Sequence, residues 1–202
     1  MLQTFLLQSP ADHQLFIDTY RQRSQGITVD LAFLKNTTVR VFQHSDQPGE
    51  WIAGYFVNDQ RPHRYFSVIP AEIKAQMLED NGISEDDVAE IGAIWMDVKA
   101  LGRLGRWQVY LFMLADAYST NRSYIVGGTV HAQIRDFQMQ VVKHPLFEGK
   151  VELSGQVQQI WEYYANREEI WFDFLNFTVP EMRRHVSRET VRLEPSPYRQ
   201  SA

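Results

Sequence analysis

Residues 88–97 read VAEIGAIWMD and residues 98–107 read VKALGRLGRW, and these two stretches decide the predicted fold. The first stretch is short and almost wholly apolar, which is typical of a buried strand. The second carries two glycines and two arginines and predicts a turn before an apolar helix from Trp107 to Tyr118. Backbone N–H groups at a helix N-terminus, with arginines beside them, favour binding of a phosphate or pyrophosphate. The sequence therefore predicts a strand, a turn and a helix that together hold an anionic ligand.

The composition is that of an ordinary soluble domain. The chain has 202 residues and a formal net charge of −5, and it contains no cysteine. The acidic balance argues against nucleic-acid binding, and the lack of cysteine excludes disulfides, thiolate zinc sites and a cysteine nucleophile. The six histidines are scattered without the spacing of metal ligands, so no metal site is predicted. No apolar run is long enough for a membrane span and no signal-peptide pattern begins the chain, so we expect a cytoplasmic protein.

The order of the predicted elements indicates one α+β (α/β-like) domain over residues 1–179. Helices and strands are assigned from the spacing at which apolar residues recur. From residue 180 to residue 202 the chain is polar and arginine-rich, and we interpret this segment as a C-terminal extension. The predicted elements are, in order, a helix over 9–23, a hairpin of strands 38–42 and 50–57, a short strand 64–69, a helix 70–82, a strand 88–96, the helix 107–118, a strand 124–130, a helix 131–142, and a terminal hairpin of strands 157–164 and 169–179.

This order of elements, with its turn of glycines and arginines, resembles the GNAT superfamily of acyl-CoA-dependent N-acyltransferases. In that family the central sheet is mixed and splayed, one strand hydrogen-bonds the pantetheine arm, and a Q/R-x-x-G-x-G/A loop after it binds the pyrophosphate. Residues 88–97 resemble that strand and residues 99–106 resemble that loop. The loop glycines Gly102 and Gly105 are separated by two residues rather than one, and Lys99 stands where Gln or Arg is usual. The resemblance implies a GNAT-like splayed sheet flanked by helices, with a pyrophosphate loop of altered shape.

The resemblance also implies the ligands. It implies acetyl-CoA or a longer acyl-CoA as co-substrate, and an amine of a small molecule or of a protein as acceptor. Two features depart from the family pattern: residues 58–87 intervene before the central strand, and Phe137 lies where many members have a tyrosine that acts as general acid. The residues expected to contact CoA lie at the end of the strand and in the turn, and are Trp95, Met96, Asp97, Gly102, Arg103, Leu104, Gly105, Arg106 and Trp107.

Two residues are candidates for acid–base catalysis. Acyl transfer to an ammonium needs a base, and burial raises the pKa of a carboxyl toward neutrality, so Glu90, the one acidic residue of the apolar strand, is the candidate base. His131, at a strand-to-helix junction, is the candidate acid for the leaving thiolate, because the ordinary pKa of histidine is close to neutrality. Each has a structural alternative: Glu90 pairs with an arginine or marks a solvated edge, and His131 is a structural histidine.

Three functions remain open at this point. The leading hypothesis is an enzyme that moves an acyl group from acyl-CoA to an amine. The alternative is a non-catalytic GNAT-fold binding or regulatory module, which the altered glycine spacing and the missing tyrosine keep open. The third is an interaction protein whose exposed aromatic strands form a homodimer. Binding of acyl-CoA, followed by release of its thiol, separates these three possibilities.

Overall fold

A seven-stranded mixed sheet forms the centre of this computed structural model, which describes residues 1–24 and 26–193, with side chains as far as residue 180. The order of strands across the sheet is β1-β2-β3-β4-β5-β7-β6, so β4 is the middle strand. Neighbouring strands are antiparallel except β4 and β5, which are parallel. The strands are β1 (Leu2–Leu7), β2 (Thr38–His44), β3 (Trp51–Asn58), β4 (Val88–Met96), β5 (Tyr124–Thr129), β6 (His144–Leu153) and β7 (Gln156–Asn166).

Seven helices are described together with this sheet. None of the described helices combines the length and the apolar character that a membrane crossing requires. The first has Ser9 as its N-cap, whose hydroxyl oxygen accepts a hydrogen bond from the backbone N–H of Asp12 at 3.1 Å. The helices are α1 (Pro10–Arg23), α2 (Leu31–Leu34), α3 (Arg64–Ser67), α4 (Ala71–Asp80), α5 (Val98–Ser119), α6 (Ala132–Gln138) and α7 (Arg167–Leu193).

The helices cover the two faces of the sheet because the strands alternate their side chains. On β3, Tyr55 and Val57 pack in the core with α5 and α7, whereas Phe56 packs in a second core with α1 and α2. A third core lies under α3 and α4 and includes Val88 and Val126. Burying each such side chain stabilises the fold by roughly 1.5–3 kcal/mol. The predicted α+β class, with a mixed sheet and the 88–96 strand at its centre, is confirmed.

Two strands of the sequence-based prediction are wrong, and both segments are helices. The predicted strand 64–69 is absent, since residues 64–67 form α3, and residues 169–179 belong to α7 rather than to a terminal hairpin. The buried residues Ile170, Phe174 and Thr178 recur every four residues, as a helix requires, and Phe172, which alternation would bury, is 69% exposed. The aromatic residues of this segment fit both the strand period and the helix period, so the apolar pattern alone did not distinguish a strand from a helix. The terminal hairpin is instead formed by β6 and β7.

The predicted turn before the long helix is also corrected. Residues 99–106 lie within α5, which begins at Val98 and is interrupted only by a non-helical residue at Gly102. The buried side chains of α5 include Val109 and Met113, but Phe112 is 39% exposed, so one side of this helix faces solvent. The helix is therefore amphipathic, although its sequence is almost continuously apolar.

The division of the chain at residue 180 stays a prediction. Helix α7 continues through Pro180 to Leu193, so no change of secondary structure marks the predicted boundary. The side chains from residue 181, and the whole of residues 194–202, lie outside the described residues. The predicted arginine-rich extension over residues 180–202 therefore lies mostly outside the part of the chain that the structure describes.

A partly buried ion pair attaches α5 to the sheet. The carboxylate of Asp116 accepts two hydrogen bonds from the Arg40 guanidinium, at 2.7 and 2.8 Å, and one from the Tyr55 hydroxyl at 2.7 Å. The Arg40 side chain is 13% exposed and that of Asp116 is 15% exposed. Bidentate geometry and a third donor make this a strong contact between α5, β2 and β3.

We expect Asp116→Ala to lower the free energy of unfolding by about 3 kcal/mol, because it leaves the Arg40 charge and the Tyr55 hydroxyl buried without their acceptor. Urea denaturation of the variant measures this loss. The matched control is Asp136→Ala, since Asp136 pairs with Arg135 but is 67% exposed, and it should cost less than about 1 kcal/mol. Equal losses in the two variants would contradict the assigned role of Asp116.

Candidate functional site

The two central parallel strands separate part-way along their length. β4 and β5 pair over three positions, with Val88 opposite Tyr124 and Glu90 opposite Val126. Beyond Glu90 no pairing between them continues, although β4 extends to Met96 and β5 to Thr129. A cleft of about 570 Å³ lies at this divergence, and residues of both strand ends line it. The splayed sheet that the resemblance predicted is present, and its opening is the candidate site.

A bulge in β4 accompanies the divergence. On the β3 side, Phe56 pairs with Gly92 and Gly54 pairs with Trp95, so β4 has an extra residue in this interval. Ala93 has φ of 48°, a conformation that is uncommon for a residue with a Cβ. It is buried, with 2% exposure, and it lines the cleft. Strain of this kind persists where the surroundings enforce it, and it clusters at functional sites.

Glu90 is fully buried at the point of divergence and joins β4 to α3. Its two carboxylate oxygens accept hydrogen bonds from the backbone N–H of Arg64 at 2.6 Å and from that of Tyr65 at 3.2 Å. Burial raises the pKa of Glu90 to about 7, against the effect of these hydrogen bonds, which favour the ionised form. The sequence-based assignment of Glu90 as a base stays a prediction, and its oxygens already have two backbone donors.

A second buried carboxyl, which the sequence analysis missed, lies on β7. Glu162 is 1% exposed, lines the cleft, and neither of its carboxylate oxygens has a hydrogen-bond partner in the described part of the chain. Burial, with a smaller effect from the charge of Glu90, raises the pKa of Glu162 to about 8. The signal that selected Glu90, one acidic residue in an apolar strand, is present here too, since Ile160, Tyr163 and Tyr164 surround it.

Gly128 makes room for the side chains between the two carboxyls. A Cβ at this position would lie 3.0 Å from the Tyr65 ring, 3.2 Å from Cγ of Glu162 and 3.0 Å from the Trp161 carbonyl oxygen. The Tyr65 hydroxyl donates a hydrogen bond to the Gly128 carbonyl oxygen at 2.9 Å. Burial raises the pKa of Tyr65 well above its ordinary value, so this hydroxyl keeps its proton. The absence of a Cβ at Gly128 thus permits the close approach of Tyr65.

The start of α5 is capped and then interrupted. The carboxylate of Asp97 accepts hydrogen bonds from the backbone N–H of Lys99 at 3.1 Å and of Ala100 at 3.0 Å, so Asp97 is the N-cap. Gly102 has φ of 59° and ψ of −167°, which breaks the helix after its first turn. A second helical segment begins beyond this break, and the first N–H groups of a helical segment lack intrahelical acceptors. The residues after Gly102 therefore form a new helix N-terminus beside the cleft.

The predicted CoA-contacting residues are only partly brought together. Trp95, Met96 and Arg106 line the cleft, and Arg103, Arg106 and Trp107 line an adjoining pocket of about 400 Å³. The other four do not line either space with a side chain. Asp97 serves as the cap, the side chain of Leu104 is 60% exposed, Gly102 forms the helix break, and Gly105 is buried where a Cβ would lie 3.2 Å from the Leu101 side chain.

His131 lies on the rim of the cleft as the N-cap residue of α6. Its side chain is exposed and lines the cleft, and its backbone N–H donates to the Thr129 hydroxyl at 3.1 Å. Its assignment as a general acid stays a prediction. Phe137, where the family often has tyrosine, lies on α6 and lines the cleft as well. Within the described residues, no group of three or more His, Asp or Glu side chains could hold a metal ion.

An apolar cavity continues from the cleft into the core on the α5 side. Its volume is about 60 Å³, and it shares Ile94, Tyr110, Gly128 and Phe137 with the cleft. The deeper walls come from β4, β5, α5, α6 and α7, and they include Ile91, Met113, Ile125, Val141, Val142 and Phe174. The cavity and the cleft therefore adjoin at these shared residues.

Comparison with known proteins supports the fold. No family model and no curated protein sequence matches this chain. FeeM, an N-acyl amino acid synthase from uncultured soil microbes, matches at a TM-score of 0.61 and 14% identity, over 84% of this chain and 92% of its own. TofI in an apo form matches at a TM-score of 0.56 and 16% identity, over 82% of this chain and 91% of its own. The putative acetyltransferase yncA from Salmonella typhimurium, with acetyl-CoA, matches at a TM-score of 0.51 and 11% identity, over 82% of this chain and 94% of its own. The chain has the GNAT fold, as the resemblance predicted.

The buried carboxyls predict how stability depends on pH. The raised pKa values of Glu90 and Glu162 mean that, between the ordinary carboxyl pKa and about 8, the folded protein binds more protons than the unfolded chain. The free energy of unfolding should therefore fall as the pH rises from about 5 to about 8, by roughly 2–4 kcal/mol. Urea denaturation at several pH values measures it. Glu162→Gln should make the free energy of unfolding depend less on pH. Glu152→Gln, on the exposed side of β6, should leave this pH dependence unchanged. A wild-type protein whose stability rises over this interval would contradict the prediction.

Proposed function

We propose that this protein transfers the acyl group of an acyl-CoA to an amine. The observation that carries the proposal is the cleft between the diverging strands β4 and β5, which has unpaired strand backbone on one side and a buried carboxyl on the other. The GNAT fold supports it, and two of the matched structures carry acyl-transfer names, an N-acyl amino acid synthase and a putative acetyltransferase. A pocket that combines apolar walls with a few buried titratable groups is the usual form of an active site.

The open edge of β4 fits the pantetheine arm of CoA. Beyond Glu90 this strand keeps its pairing with β3 but has lost its pairing with β5, so one row of peptide groups faces the cleft. An extended ligand with amide groups can add to such an edge by backbone hydrogen bonds. The helix break at Gly102 and the side chains of Arg103 and Arg106 lie beside the adjoining pocket and suit a pyrophosphate. We also propose that the other residues between Trp95 and Trp107 that the sequence predicted to contact CoA do so.

The apolar cavity suits an acyl chain longer than acetyl. The thioester would lie in the cleft near the bulge at Ala93, and the chain would extend past Ile94 and Tyr110 into the cavity. A volume of about 60 Å³ is small, so we propose a short apolar acyl group. Burial of the chain holds the thioester in place, since each methylene removed from water contributes about 0.8 kcal/mol.

The buried carboxyls Glu90 and Glu162 supply a proton acceptor. A protonated amine cannot attack a carbonyl, so it must first lose one proton, and a carboxyl whose pKa lies near neutrality is suited to take it. The nitrogen then forms the C–N bond and the C–S bond breaks. His131, the predicted acid, gives its proton to the leaving thiolate and is reprotonated by the second proton that the nitrogen loses. Because the two carboxyls interact, the acceptor is the pair, of which the sequence-predicted base Glu90 is one member.

The alternative function is a non-catalytic GNAT-fold module that binds acyl-CoA without turning it over. Calorimetry with acyl-CoA and an assay of CoA thiol release with amine acceptors separate the two, since the module binds and releases no thiol. The acceptor is proposed to be an amine of a small molecule or of a protein. The cytoplasmic location and the homodimer remain predictions from the sequence.

Gly102→Ala should weaken CoA binding about tenfold, because a Cβ strains the positive φ that breaks the helix and exposes its N–H groups. Calorimetric titration with CoA measures the change. Gly49→Ala is the matched control, since Gly49 also has a positive φ and an open Cβ position but lies in the β2–β3 turn. A bulkier residue at Gly105 should also weaken binding. Unchanged CoA affinity in both helix variants would argue against this pyrophosphate site.

Butanoyl-CoA should bind about tenfold more tightly than acetyl-CoA, because two further methylenes enter the cavity. Dissociation constants for the two thioesters measure the difference. Val141→Phe fills the cavity and should abolish the preference while leaving acetyl-CoA affinity nearly unchanged. Val157→Phe, at a position that is 74% exposed, is the control. A preference that survives Val141→Phe would mean that the acyl chain lies elsewhere.

A further inference from the structure

Among the described residues that line the cleft, Glu162 alone has charged atoms that are both buried and unpaired. Neither oxygen has a hydrogen-bond donor in the described part of the chain, and the residue is 1% exposed. Burying a carboxyl without a partner is strongly unfavourable, and native proteins rarely keep such a group without a functional reason. The missing donor is supplied if a ligand with N–H groups occupies the cleft.

We propose that Glu162 is the catalytic residue that contacts the acceptor amine in the proposed acyl transfer, and that Glu90 is a positioning residue that acts through α3. The inference rests on the proposed function and divides the two carboxyls of the pair by role. It also specifies the acceptor class, a primary amine that enters the cleft as the ammonium ion, because a cation complements an unpaired carboxylate.

The hydrogen bonds of the two carboxyls distinguish their roles. Glu90 accepts from the backbone N–H groups of Arg64 and Tyr65, so its oxygens stabilise the start of α3. These bonds hold Tyr65, whose ring lies against Gly128 and whose hydroxyl donates to the Gly128 carbonyl. Glu162 has no such bonds and lines the cleft. The Glu90 carboxyl is therefore occupied by hydrogen bonds that stabilise α3, and the Glu162 carboxyl is available to a ligand.

The pairing of strands around Gly128 places the carboxyls of Glu90 and Glu162 on one face of the sheet. Gly128 pairs with Glu162 across β5 and β7, and Val126, two residues earlier on β5, pairs with Glu90. Residues that pair directly, and residues two apart on one strand, share a face of the sheet, so Glu90 and Glu162 lie on the same face. Tyr65 covers Gly128 between them, and a Cβ at 128 would contact both Tyr65 and Glu162. Glycine at position 128 therefore leaves room for the Trp161 carbonyl oxygen, the Tyr65 ring and the Glu162 side chain.

The proton transfer balances with groups already in the proposed reaction. The ammonium R–NH₃⁺ gives one proton to the Glu162 carboxylate, and the freed nitrogen lone pair forms the C–N bond at the thioester carbonyl. The C–S bond breaks, the sulfur keeps its electron pair, and it takes a second proton that the nitrogen loses. The products are the amide, the CoA thiol and a protonated Glu162, which returns its proton to solvent. No oxidant or further co-reactant is needed.

Glu162→Gln tests the assignment because it keeps the size of the side chain and removes the proton acceptor. The assay uses butanoyl-CoA with the twenty amino acids, ethanolamine and spermidine as acceptors, and it measures thiol release and the amide product. With the best acceptor of the wild type, kcat should fall by roughly 10²- to 10⁴-fold, and CoA affinity should stay unchanged. Hydroxylamine, which is neutral at pH 7, should largely restore transfer in the variant because it needs no base. Glu152→Gln on β6 is the matched control.

Glu90→Gln tests the positioning role by a readout that a purely structural role would not change. It should lower kcat less than Glu162→Gln does and shift the acidic limb of the pH–kcat profile to lower pH, because Gln carries no charge to raise the pKa of Glu162. An unshifted limb would contradict the role of Glu90. The other charged or titratable groups that line the cleft stay in place in both variants, and they are Tyr20, Arg23, Arg64, Tyr65, Arg106, Tyr110 and His131.

The outcomes separate the inference from the proposed function. Wild-type protein that binds CoA but gives no product with any acceptor refutes the proposed function and the inference with it. If the wild type transfers the acyl group and the rate of Glu162→Gln lies within threefold of the wild-type rate, the inference alone is refuted. If Glu162→Gln does not fold, Glu162→Asp decides, since drawing the carboxyl back by one methylene should lower kcat about tenfold, and an unchanged kcat overturns the assignment.

Discussion

The limited pairing of β4 with β5 is the constraint on which the rest of the site depends. Three residue pairs join the strands, and beyond Glu90 the strands separate. The bulge at Ala93 reinforces the separation, because an extra residue on a central strand increases its local twist and bends it. An open backbone edge in the middle of a sheet is ordinarily unfavourable, since its peptide groups are left unpaired. It fits a protein whose ligand completes the hydrogen bonding of that edge.

The two faces of the divergence have different chemistry because the strands alternate their side chains. On the face covered by α5 and α7, the opening continues into an apolar cavity. On the face covered by α3, it ends at Tyr65, whose backbone N–H donates to Glu90, and at the carboxyl of Glu162. The proposed acyl transfer uses the two parts of this opening differently, the apolar cavity for the acyl chain of the thioester and the part beside the buried carboxyls for the attacking amine. The segment 58–87, which departs from the family pattern, contains α3 and α4, and α3 supplies the backbone N–H groups that donate to Glu90.

The buried carboxyls place stability and function in opposition. Each would stabilise the folded state more as a neutral group, so the protein is expected to lose stability toward the pH at which they ionise. The bond network of Arg40, Tyr55 and Asp116 lies away from this region and holds α5 on β2 and β3. A rigid attachment of α5 matters because its interrupted N-terminus forms one wall of the pocket beside the cleft. A strained and partly unsatisfied site requires a well-bonded scaffold.

The sequence by itself determined the central strand, the apolar helix after it, the first hairpin and the mixed sheet, because these depend on local periodicity and turn chemistry. It also selected Glu90, since a single carboxyl in an apolar strand is visible in one dimension. Only the tertiary structure decided that Glu162 lies on the same face as Glu90, two strands away. It also decided that, among the described residues, the Glu90 carboxylate has hydrogen-bond donors and that of Glu162 has none. It likewise decided that residues 167–193 are a helix, since their aromatic residues satisfy both periods and only packing against the sheet selects one. Pairing across strands and burial arise from contacts between distant segments, and no local pattern records them.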